Sequence, residues 1–239
     1  MSEQPTIGFI GLGNMGLPMC QRLAGAGYDV TAFDLRSEPL DAAVAAGARR
    51  GSDVAELAGS VDVLLTSLPH PRHVEAVMRE SGALPALQSG SVWVDLTTNR
   101  RELVESLAAE AADGVEVVDS PVTGAVDGAR TGRLTLFAGG PTAALERVVP
   151  ILGHLGRVIE CGGLGTGNVV KLVTNQLWFV HAAAIGEGFA LGIANGVELP
   201  VLYDAICDSV GDSFVARHDA PSIFAGHYDP SFTLDLCLK

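Results

Sequence analysis

Basic residues are scarce in this sequence: 15 lysines and arginines stand against 28 aspartates and glutamates in 239 residues, a formal net charge of -13. Such a chain repels a phosphate backbone, which excludes nucleic acid as an expected partner and means that any nucleotide must be held locally. Cysteine is scarce as well. Cys20, Cys161, Cys207 and Cys237 have no C-x-x-C spacing and sit in apolar contexts, the pattern of buried thiols in a reducing compartment. His70 and His73 have no third ligand spaced nearby, so they read as surface-loop residues and no metal is expected. The opening MSEQPT lacks a basic stretch, and the apolar run after it is too short for a signal peptide. A cytoplasmic protein is therefore expected.

What is abundant is apolar sequence, 48% of the chain, in alternating strand and helix patterns, and this predicts a packed α/β protein. The stretch TIGFIGLGNMGLPMCQRLAGAGYDVTAFD, from Thr6 to Asp34, reads as strand, turn, helix, strand. Gly11, Gly13 and Gly16 have the spacing G-x-G-x-x-G. Gly11 permits the tight turn, Gly13 lets the backbone approach a pyrophosphate, and Gly16 lets the helix pack on the strand. Gly11, Leu12, Gly13, Asn14, Met15 and Gly16 would then line the phosphates at the start of the helix. Asp34 closes the second strand, where a carboxylate accepts from a ribose diol. It would repel a ribose phosphate, so NAD is favoured, with NADP possible if Arg36 compensates.

Ser37 to Ala46 reads as a helix with Ser37 a possible N-cap. VDVLLTSL and SVWVDL are continuous apolar runs of the kind buried in a parallel sheet. Leu68 and Pro69 follow the first and Thr97 the second, at strand carboxyl ends where ligands of doubly wound sheets bind. Thr98 or Asn99 could equally cap the next helix. From Val115 to Gly140, two strand patterns flank a loop with Pro121, Thr123 and Gly124, which suits a substrate carboxylate or a plain connection. The first domain is expected over residues 1–163.

Residues 164–239 change character. From Thr166 to Ala194 runs one long, mostly apolar helix, about 40 Å at about 1.5 Å per residue. Apolar residues on nearly every side predict burial by other helices. A transmembrane span is the rival, opposed by Lys171, Asn175, His181 and Glu187 within the run. Lys171 and Asn175 are one turn apart. A lysine there is poorly placed for the helix dipole and costly to bury, unless it snorkels to water.

Together, IGFIGLGNMGLPM, DSPVTGAVDGARTGRL and GTGNVVKLVTNQL resemble the cofactor, substrate and catalytic segments of the beta-hydroxyacid dehydrogenases. That group contains 3-hydroxyisobutyrate dehydrogenase and tartronate semialdehyde reductase and is related to 6-phosphogluconate dehydrogenase. The resemblance implies a Rossmann domain, then an all-α domain, with the active site between them. It implies an NAD(P)-dependent oxidoreductase acting on a small carboxylate, a 3-hydroxy acid or its semialdehyde, and a homo-oligomer. Lys171 becomes general acid/base, Asn175 a substrate holder, and Thr123 and Gly124 the carboxylate site. Lys239 matches a lysine that lies beside cofactor and substrate. Members usually carry serine at the position of Thr123, proline near Arg101, and further helices after FTLDLCLK, so the helical domain is expected to be incomplete. The alternatives are an imine reductase-like enzyme, which generally has aspartate or tyrosine in place of Lys171, and a nucleotide-binding scaffold module without turnover.

Overall fold

The computed structural model describes residues 4–227. Lys239 and Cys237 lie outside the described residues. Two compact units divide between Lys171 and Leu172.

The first unit is a nine-stranded sheet built from β1 (Ile7–Ile10), β2 (Val30–Phe33), β3 (Arg49–Arg50), β4 (Val63–Thr66), β5 (Val92–Asp95), β6 (Glu116–Asp119), β7 (Val122–Thr123), β8 (Leu134–Gly139) and β9 (Gly156–Gly162). The order is β3-β2-β1-β4-β5-β6-β8-β7, with β9 also on β8. The pairs from β3 to β6 are parallel; β8 runs antiparallel to β6 and β7 and parallel to β9. The pleat sends alternate residues to opposite faces, so both faces must be apolar for the sheet to be covered by helices. Ile7, Phe9, Val63, Leu65, Val92, Val94 and Val118 enter one core cluster. Ile10, Leu64, Trp93 and Val117 enter the other.

The order reverses between β1 and β4, which puts a topological switch point at their carboxyl ends. That end gathers the turn after β1, Asp34 after β2, Leu68 and Pro69 after β4, and Thr97 after β5.

Two helix starts differ from the sequence reading. Arg36, not Ser37, occupies the cap position of Ser37–Ala45. Neither Thr98 nor Asn99 caps Arg101–Glu110, whose cap position is Arg100; Asn99 turns inward to a buried aspartate instead. The two exposed arginines of β3 carry no apolar pattern from which a strand could be read.

The long helix spans Thr166–Ala194. Its expected burial by other helices is not found among the described residues. Only 6% of its most apolar 18-residue window is buried, and the helix is long and apolar enough to cross a membrane by length and composition. Leu177, Val180 and Leu191 are all exposed. In the second unit, Leu199–Cys207 follows with Pro200 in its first turn. Phe224 meets the rings of Phe189 and Tyr203 edge-on, and the Trp178 indole donates to Asp219 at 2.7 Å.

Candidate active site

Each of the three signature glycines does a different job in the turn after β1. Gly11 has φ of 95°, and a Cβ there would lie 2.3 Å from the Ser67 carbonyl oxygen. A Cβ on Gly16 would lie 1.9 Å from the Gly11 carbonyl, so the helix Gly16–Gly25 seats directly on the turn. A Cβ on Gly13 would meet nothing within 4 Å. The protein itself therefore gives no reason for glycine at 13, whereas a pyrophosphate brought against the helix N-terminus does. Leu12, Asn14 and Met15 complete this turn.

Asp34 has a structural task besides the one read from the sequence. One carboxylate oxygen accepts from the Leu12 backbone N–H at 2.7 Å, and the other from the Arg36 N–H at 2.9 Å and the Arg36 Nε at 3.3 Å. It thus pins the glycine-rich turn to the end of β2. A carboxylate has about four lone-pair sites, so capacity for a ribose hydroxyl remains. Arg36 is exposed and also donates to the Leu12 carbonyl, which binds this cation into the same turn. The arrangement fits a dinucleotide.

The loops after β4 and β5 are joined where the sequence placed Leu68, Pro69 and Thr97: the Leu68 N–H donates to the Thr97 hydroxyl at 3.0 Å. Thr97 is buried. Thr123 ends β7, half-buried, and Gly124 is exposed. Gly124 has φ of 123° and Ala125 has φ of 53°. Two successive left-handed residues, the second with a Cβ, are a local cost in the loop assigned to the substrate carboxylate. Among the described residues, no three histidine, cysteine or acidic side chains group to hold a metal ion; the His70 and His73 rings lie edge to face at 5.5 Å.

Lys171 is 9% exposed, so its charge is not snorkelling freely into water. Asn175 stands one turn on in the same helix, half-buried.

The sequence reading missed the polar network beside that lysine. Asp95 and Asp119, the last residues of β5 and β6, are both fully buried. Asp95 accepts from the Thr66 hydroxyl at 2.9 Å, the Thr97 N–H at 3.0 Å and the Asn99 amide at 3.1 Å. Asp119 accepts from the Gly165 N–H at 2.6 Å, and from the Asn168 N–H at 2.6 Å and side-chain amide at 3.0 Å. Burial pushes the Asp95 carboxyl up against the pull of those donors. It pushes Asp119 up to about 6, again against its donors and with Asp95 adding repulsion. A signal was present in the sequence: both apolar strands, SVWVDL and VEVVDS, close on an aspartate that no surface position explains.

Comparison with known proteins adds identity to this geometry. Residues 6–163 match the model for the NAD binding domain of 6-phosphogluconate dehydrogenase, and residues 165–239 that for the NAD-binding of NADP-dependent 3-hydroxyisobutyrate dehydrogenase. The 2-(hydroxymethyl)glutarate dehydrogenase of Eubacterium barkeri is 35% identical over 99% of this chain and 80% of its own length. The NAD-dependent L-serine dehydrogenase of Pseudomonas aeruginosa is 36% identical over 87% of this chain and 71% of its own. The structure of Mycobacterium tuberculosis 3-hydroxyisobutyrate dehydrogenase with L-serine superposes with a TM-score of 0.92 at 30% identity, covering 98% of this chain and 83% of that one. The chain belongs to the beta-hydroxyacid dehydrogenase family.

Proposed function

We propose that the chain interconverts a small 3-hydroxy acid and its semialdehyde or keto form, with Lys171 as general acid/base. The relatives support the reaction class: they are named as dehydrogenases of hydroxymethylglutarate and L-serine, both of which pair a carboxylate with a hydroxyl on the next carbon but one. When bound, a nicotinamide dinucleotide would supply or take up the hydride. Lys171 handles the proton at oxygen. In reduction its ammonium Nζ donates to the developing alkoxide; in oxidation the neutral amine takes the hydroxyl proton as the carbonyl forms. Desolvation of a lysine disfavours its charged form, which eases the release of the proton to the alkoxide. The single observation that carries this reading is a lysine only 9% exposed within the first turns of an apolar helix, where burying a charge is costly.

In this reading Asn175 holds the substrate, Thr123 and Gly124 bind its carboxylate, and Gly11 to Gly16, Asp34, Leu68, Pro69 and Thr97 hold the coenzyme. The domain division at residues 163–164 goes with it. NAD is the favoured coenzyme because Asp34 would face a ribose phosphate. A homo-oligomer is supported by the exposed apolar positions of the long helix, and a cytoplasmic location by the free thiols of Cys20, Cys161 and Cys207.

The test is NAD reduction with a panel of small 3-hydroxy acids, alongside 2-hydroxy acids and simple alcohols. Turnover confined to the 3-hydroxy acids is expected. Preference for 2-hydroxy acids or for alcohols without a carboxylate would overturn the substrate class.

A further inference from the structure

Asn168 lies where the loop after β5, the end of β6 and the first turn of the long helix meet. Its side-chain oxygen accepts from the Asn99 backbone N–H at 2.6 Å, and its amide donates to Asp119 at 3.0 Å. The Asn99 side chain reaches Asp95, which also holds the Thr97 N–H. Asn168 is fully buried, and Lys171 follows three residues later on the same helix face. We propose that Asn168 is a positioning residue, which fastens the loop after β5, the end of β6 and the first helical turn into one body and so fixes where Lys171 stands. This rests on the assignment of Lys171 as acid/base.

Close packing supports the same conclusion independently of the hydrogen bonds. A Cβ on Gly167 would lie 2.0 Å from the Phe137 carbonyl oxygen, and one on Gly139 would lie 2.7 Å from both Asp119 Oδ1 and Thr166 Oγ1. The first helical turn is therefore seated on backbone at the carboxyl ends of β6 and β8. A fold that needed only stability would gain as much from an apolar contact here, without burying Asp95 and Asp119. Directional bonds between these three segments instead set a distance and an angle. That matters to proton transfer, where a displacement of about 1 Å costs on the order of 100-fold in rate.

The test compares the whole chain with its Asn168→Ala, Asn168→Asp and Lys171→Ala variants. Asn168→Asp keeps an oxygen for the Asn99 N–H and loses the donor toward Asp119. Three quantities are read: NADH affinity by fluorescence, kcat and KM with a semialdehyde, and amide hydrogen exchange at Asn99 and Gly165. Asn168→Ala should bind NADH within about twofold of the parent and change KM little, but lower kcat about 100-fold and speed exchange at Asn99 at least tenfold. Asn168→Asp should also lose kcat while Asn99 stays protected. A kcat within threefold of the parent in the folded variants would overturn the proposal, as would unchanged exchange at Asn99 in Asn168→Ala. If neither Asn168 variant folds, the residue serves the fold and the proposal fails. If Lys171→Ala turns over normally, the assignment of Lys171 is what fails, and the exchange data still decide whether Asn168 does the fastening.

Discussion

Asp34 shows how one side chain carries a structural and a recognition task together. It anchors the Leu12 N–H and is proposed to accept from a ribose diol, so Asp34→Ala should weaken NADH binding and bring the NADPH affinity level with or above it. Fluorescence titration of both coenzymes measures this, and a variant that keeps the parental preference would remove Asp34 from coenzyme selection. Thr123 keeps the hydroxyl of the family's usual serine and adds a methyl group. Thr123→Ser should therefore shift the relative kcat/KM of two carboxylate substrates of different bulk by about 1–3 kcal/mol in favour of the larger one. Equal gains for both substrates would show that the methyl does not face them. Among thiols, burial pushes Cys20 up to about 12, so it stays protonated and unreactive at neutral pH.

The glycine-rich turn separates packing from ligand approach. Gly16→Ala forces a Cβ against the Gly11 carbonyl, and overpacking of this kind costs about 1–3 kcal/mol; thermal unfolding should show a lower midpoint along with weaker NADH binding. Gly13→Ala meets open space. Its unfolding midpoint should stay near the parent's while NADH affinity falls, and an unaffected affinity would contradict the assigned pyrophosphate position. Such local elements were legible in the sequence because period, turn chemistry and length agreed: the β1 turn, the apolar runs of β4 and β5, and the helix Thr166–Ala194 are all found where the pattern puts them. What was not legible depended on neighbours far along the chain. Asp95 and Asp119 have meaning only once β5 and β6 lie side by side and the long helix starts above them, and Asn99 was indistinguishable from an ordinary helix cap. Burial of the long helix was also misread. An apolar surface specifies that something must cover it, and no periodicity tells whether the cover comes from the same chain.

For the molecule as a whole, the two aspartates at the sheet's carboxyl edge link stability to pH. Asp119 has a folded pKa of about 6, above its unfolded value near 3.9. The folded chain then binds this proton more tightly than the unfolded chain, so the group's contribution is largest at low pH and is lost as pH rises from about 4 through about 6. Asp95 acts in the same direction. The Asp119→Asn variant should show a flatter change of unfolding midpoint with pH across that window than the parent, and parallel curves would contradict the raised pKa. The exposed positions Leu177, Val180 and Leu191 on the long helix should make association concentration-dependent. Sedimentation should show a Leu177→Glu variant shifted toward monomer, and an unshifted distribution would place the contact elsewhere. The most direct measurement of all is turnover by the whole chain and by Lys171→Ala, with a semialdehyde and NADH, beside an NADH titration of each. The parent should oxidise NADH, and the variant should bind NADH normally while losing at least 100-fold in kcat, within the span of general acid–base catalysis at about 10²–10⁴-fold. A Lys171→Ala variant that turns over like the parent would contradict the proton-transfer role at its root.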